Sequence, residues 1–92
     1  MGHVFHPGHE ALHGITVVVS GASGRLYVGR YHETTDRGVV LHDVALREPD
    51  DALGADDWIA RQIKFGVKIA ERHVAVPISE SVSVVKLVDW KK

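Results

Sequence analysis

The chain has 92 residues, 45% apolar and 25% charged, which fits one ordinary globular domain and excludes a disordered or collagen-like polymer. It has no cysteine, which excludes disulfides, thiolate nucleophiles and cysteine-ligated metal centres. Eleven Lys and Arg against twelve Asp and Glu leave a net charge of −1, so binding of nucleic acid by bulk positive charge is not expected.

The first segment, residues 1–14, is a short polar lead-in in which Pro7 suits the start of one helical turn and Gly14 its end. Residues 15–20 (ITVVVS) are β-branched and apolar, and the turn signal Gly21-Ala22-Ser23-Gly24 closes them as a first strand. Residues 25–31 (RLYVGRY) read as a second strand, with Gly29 marking a sharp bend or a close backbone approach. After the turn TTDRG, residues 39–46 (VVLHDVAL) form a third strand. Simple alternation puts Val39, Leu41 and Asp43 on one of its faces and Val40, His42 and Val44 on the other.

Residues 47–57 break the pattern with Pro49, Gly54 and four Asp, of which Asp56 is the expected N-cap of a helix. Trp58, Ile59, Gln62 and Ile63 fall at helical spacing, which predicts a short helix over 56–65, although IKFGVKIA alternates well enough to be a strand. Trp58 with Ile63 would pack that helix on the sheet or offer a docking face. Residues 74–78 (VAVPI) are a fourth strand, placed at an edge by Pro77, and residues 82–88 (VSVVKLV) a fifth.

Five short strands and one helix of about two turns are too little for a sandwich. They predict an all-β fold in which one strongly bent five-stranded sheet makes a small barrel, with a helix-containing insertion over 46–73. The first and last strands are apolar on both faces, which calls for cover on both sides and gives the first hint of an oligomer. A 92-residue chain without disulfides also gains from self-association. No apolar run approaches the roughly 20 residues that cross a bilayer, and no basic stretch leads into an apolar one near residue 1. The expected location is cytoplasmic, with no membrane partner.

The order of motifs resembles the Sm-like (LSm) family of small, SH3-like barrels. Residues 12–45 are similar to its first motif, with Gly14, Val17, Val19, Gly24, Tyr27, Gly29, Asp36, Leu41, Asp43 and Val44 in the characteristic places, and residues 74–87 resemble the shorter second motif. The resemblance implies an N-terminal helix, a five-stranded barrel and a ring of five to seven copies, in which the fourth strand of one subunit pairs with the fifth of the next. The interface candidates are then Val74, Val76, Val82 and Val84. It also implies single-stranded RNA at the pore, held by the turns after strands two and four. Here the family's uracil-binding Asn is missing, and Ile78-Ser79 stands where its Arg-Gly does. The RNA-binding candidates are therefore Arg37, whose guanidinium plane can stack on a base, Asp36, Ser79 and Ser81, with Glu80 offsetting the charge of Arg37. The competing reading is an SH3-like oligomeric scaffold that recruits a protein partner through the 46–73 insertion.

Other chemistry is less well supported. His3, His6, His9 and His13 recur at spacings of three and four, but Pro7 and Gly8 interrupt any helix that would align them, so no metal site is expected. His32, His42 and His73 read as strand-face or strand-end residues. No Ser sits in a nucleophile elbow, and GASGR lacks the lysine and spacing of a phosphate-binding loop, so neither an enzyme nor a cofactor is expected.

Overall fold

The computed structural model describes residues 12–90, so the helical turn expected after Pro7 lies outside the described residues. The strands are β1 (Thr16–Gly21), β2 (Leu26–Thr35), β3 (Gly38–Arg47), β4 (Glu71–Val76) and β5 (Ser81–Lys86), with helix α1 (Ala55–Phe65) between β3 and β4 and a 3₁₀ turn at Leu87–Asp89. All pairings are antiparallel, in the order β4-β3-β2-β1-β5. β4 begins three residues earlier than expected and stops before Pro77, whose missing N–H then interrupts no ladder. β5 ends at Lys86, where the 3₁₀ turn takes over.

Consecutive strands β4 and β5 occupy opposite edges of the sheet. Laid flat, four strand spacings of about 4.8 Å would separate them by roughly 19 Å. Only residues 77–80 connect them, and the Glu80 and Ser81 amides both donate to the Pro77 carbonyl at 2.9 Å, so the connection is compact. The sheet must therefore curl until its two edges meet at this end. It is not closed: among the described residues no backbone hydrogen bond joins β4 to β5.

Curling creates an inner and an outer face, each with its own apolar cluster. The inner cluster gathers Val17 and Val19 of β1, Tyr27 and Tyr31 of β2, Val39, Leu41 and Val44 of β3 and Val76 of β4, capped by Leu12. The outer cluster joins Val18, Leu26, Val28 and Ala45 to Trp58 and Ile59 of α1 and Leu87 of the 3₁₀ turn. This is why the apolar residues of β1 show no alternation: Val17, Val18 and Val19 are all fully buried. α1 presents Trp58, Ile59 and Gln62 inward and leaves Ile63 and Phe65 exposed, against the expectation that Ile63 packs on the sheet.

The cap of α1 also differs from expectation. Gly54, not Asp56, is the N-cap and contributes no side-chain bond. Asp56 instead accepts the Trp90 indole N–H at 2.9 Å, tying the segment after the 3₁₀ turn to the helix. Buried Arg47 donates through Nε and Nη2 to the Leu53 carbonyl at 3.0 and 2.8 Å, which holds the acidic loop before the helix.

β3 breaks the simple alternation at Asp43, whose φ of +53° inserts one extra residue. Between the pairs Val28↔Ala45 and Arg30↔His42, two steps along β2 face three along β3. The phase flips there, so Val44 joins Leu41 in the inner cluster rather than sharing a face with His42. Asp is among the residues that tolerate this backbone region, and its carboxylate accepts from Arg30 Nη2 at 2.6 Å and Arg72 Nη1 at 3.4 Å. The Arg30 bond is the main reason the Asp43 carboxyl titrates below the usual range. Opposite the bulge, a side chain at Gly29 would lie 2.9 Å from Val44 Cγ2, the close approach expected of that glycine.

Candidate nucleic-acid interface

Thr35 and Gly38 pair as the last residues of β2 and the first of β3, so Asp36 and Arg37 form a two-residue hairpin loop. The Arg37 amide donates to Thr35 Oγ1 at 3.1 Å, while the side chains of Asp36 and Arg37 are exposed and bond to no described residue. Val39 pairs with Val76, and Gly38 lies so close to the end of β4 that a side chain there would meet the Val76 carbonyl. The β2–β3 loop thus abuts the start of the Pro77–Ser81 connection. Those are the two loops that the resemblance pairs, and they are neighbours here.

The far end of that connection belongs to a different turn. The Ala22 amide donates to the Glu80 carbonyl at 2.7 Å, and Gly21 pairs with Ser81. The Glu80 carboxylate accepts from the Ser23 amide at 3.1 Å, the Ser23 hydroxyl at 2.5 Å and the Tyr27 hydroxyl at 3.2 Å. Gly21 leaves the space it occupies, since a methyl group there would overlap Glu80 Oε2. Glu80 is therefore a tie between the β1–β2 and β4–β5 turns rather than a counter-charge for Arg37. Only the glutamate beside a strand end was legible in the sequence; its partners lie 53 and 57 positions away.

These bonds, the Ser23 hydroxyl's first, lower the Glu80 pKa, and burial pushes the Tyr27 phenol up, so Tyr27 stays protonated and donates. A carboxyl that titrates lower in the fold than in the unfolded chain stabilises the fold above its unfolded pKa. That contribution is lost as pH falls through the folded value. Glu80→Gln is expected to melt at a lower temperature than the parent at pH 7 and to lose less on acidification to pH 3. Thermal melts at both pH values check this, and equal melting temperatures at pH 7 would refute it.

Ser79 is exposed on the connection, Ser81 is half-buried at the start of β5, and neither side chain bonds a described residue. The four interface candidates behave differently from one another. Val76 is fully buried in the inner cluster, so its side chain is core and not contact surface. Val74 and Val84 are half-buried against that cluster, and Val82, 68% exposed on β5, is the one left open.

Among the described residues no three His, Asp or Glu side chains are placed to hold a metal ion, and no helix is long and apolar enough to cross a membrane. His3, His6 and His9 lie outside the described residues. The chain matches no family model and is similar to no curated protein sequence with which it was compared.

Proposed function

We propose that this chain is a subunit of an Sm-like ring that binds single-stranded RNA at the pole carrying the Asp36–Arg37 and Pro77–Ser81 turns. One observation supports this above the others: a curled sheet whose two edge strands, β4 and β5, pair with no further strand among the described residues on their outer sides. Free edges of this kind are normally covered or blunted. In this reading the curled sheet is the Sm-type barrel, and β4 of one copy pairs with β5 of the next. Val82 supplies apolar contact there, Val74 and Val84 contribute partly, and Val76 contributes backbone alone. Such a ring would work in the cytoplasm.

Arg37 is the stacking group, Asp36 shapes its loop, and Ser79 and Ser81 donate or accept hydrogen bonds. Five to seven copies multiply one weak site by the subunit number. One cation per subunit gives a shallow salt dependence compared with a phosphate-tracking groove. Light scattering is expected to give a multimeric mass at micromolar concentration, and fluorescence anisotropy to give micromolar binding of oligo-U or oligo-A. Arg37→Ala is expected to weaken that binding at least tenfold. A monomeric mass at all concentrations would remove the ring; unchanged binding by Arg37→Ala would remove the site.

The scaffold reading has one observation in its favour. Ile63, Phe65 and Ile69 of the insertion are 56%, 72% and 45% exposed, as a protein-docking surface would be. A multimer that ignores both oligonucleotides would favour it.

A further inference from the structure

The outer cluster under α1 draws on Val18, Leu26, Val28 and Ala45 of the sheet. Outside that cluster runs a row of imidazoles drawn from four segments of the chain. His13, from the segment before β1, lies with its ring centroid 5.4 Å from that of His32 on β2. His32 stacks on His42 of β3 at 4.6 Å with the planes 18° apart, and His42 meets His73 of β4 edge-on at 5.2 Å. The His13 Nδ1–H donates to the His32 carbonyl at 2.7 Å, which fixes one end of the row. Set in a line rather than around a point, the rings converge on no common metal position.

The charges around this row are almost all committed or of the wrong sign for a protonated centre. From β2, Arg30 is the cross-strand partner of His42, and His32 has Glu33 at 3.8 Å. On β3, Asp43 is already bonded to Arg30 and Arg72. From β4 come His73, Arg72 and Glu71, all exposed. A proton on His42 would thus sit between two imidazoles and beside a guanidinium, with its nearest carboxylate already taken. Burial is the leading cause that depresses its pKa, followed by His32, His73 and Arg30. Within one chain β4 is the element that can yield, because among the described residues it pairs on one side only, to β3.

We propose that the row His13–His32–His42–His73 is a pH-sensing device: with His42 neutral, the packed rings tie β4 to β3 and β2; a proton placed on His42, between two imidazoles and beside Arg30, releases the β4 edge strand. The device is built within one chain; in the proposed ring the same release would also part β4 from β5 of the next copy. Its direction is set by linkage. His42 binds its proton less readily in the fold than in the unfolded chain. Stability is then full above the free imidazole value of about 6.5 and falls as pH drops below it, by up to about tenfold in the opening constant per pH unit for each excess proton.

Hydrogen exchange read by mass spectrometry on the full chain, corrected for intrinsic exchange, tests this at pH 7.5 and 5.5. Protection of residues 71–76 is expected to fall by about three- to tenfold more than that of β1 on acidification. His42→Asn, or His73→Asn at the exposed position should the first fail to fold, is expected to abolish the difference. Equal changes in β4 and β1, or a variant that keeps the full response, would overturn the proposal. So would His42 titrating at or above the free imidazole value in an NMR titration of the parent.

Discussion

Replacing Gly38 by Ala is expected to destabilise the protein by about 4 kcal/mol or more, which is exceptional for one methyl group. Two costs combine at this residue. Its φ of +133° is a region that side-chain-bearing residues rarely adopt, a strain of roughly 1–3 kcal/mol. The added carbon would also collide with the Val76 carbonyl oxygen and lie 3.0 Å from Pro77 Cα, so β4 would have to move away from β3 at its better-packed end. Val76, fully buried, would move with it. Total stabilities of small domains are only about 5–15 kcal/mol, so the variant approaches the limit of folding. Gly14→Ala is the control, since Gly14 also has a positive φ, +82°, but open space around it. Urea unfolding of the two variants separates strain from collision. Equal losses would show that the β2–β3 loop is not pressed against the end of β4, and would remove the physical basis for placing the two candidate loops side by side.

Trp58→Ala is expected to cost about 3–5 kcal/mol, the range for truncating a large aromatic side chain in a core. Trp58 is 9% exposed and joins α1 to Val18, Leu26, Val28 and Ala45 across the outer cluster, with Ile59, Leu87 and the partly buried Leu53, Val67 and Trp90 packed around it. At about 4–8 °C per kcal/mol for a domain of this size, the melting temperature should fall by well over 10 °C. Ile63→Ala on the same helix provides the contrast: at 56% exposure it should change stability by under about 1 kcal/mol. Together the pair reads out which side of α1 faces the sheet. A small effect at Trp58 with a large one at Ile63 would mean the helix is rotated, and the exposed apolar residues assigned to it would be wrong.

Both variants bear on function through the same geometry. The inner cluster and the Gly38 contact set the pole where Arg37 and Ser79 stand, whereas α1 and the acidic loop lie on the outer face. Loss of binding in Arg37→Ala with unchanged melting would therefore belong to the site, since the Arg37 side chain is exposed and bonds to no described residue.

The features legible from residue order alone were local ones. β-Branched runs bounded by Gly, Pro, Ser and Asp clusters located all five strands, because strand and turn preferences act over a few residues. The spacing of Trp58, Ile59 and Gln62 located α1 and most of its buried side, because 3.6-residue periodicity is a property of one segment, but it also set Ile63 there, which is exposed. Gly29 announced a close approach for the same kind of reason: the lack of a side chain matters only where another atom needs the room. Everything that depends on which strand lies beside which was left to the tertiary structure. Alternation along β3 assigned Val44 to the wrong face because a bulge at Asp43 shifts the phase, and one extra residue is invisible until the partner strand is in register. Val76 looked like edge surface, yet curling of the sheet carries it into the inner cluster with β1 and β2. Glu80 looked like a charge opposing Arg37, and its partners Ser23 and Tyr27 come from another turn. The four histidines are separated by up to 60 positions and meet only because register sets β2, β3 and β4 side by side. Propensity is summed along the chain, whereas side-chain partners are chosen across it, so the elements were legible and their neighbours were not.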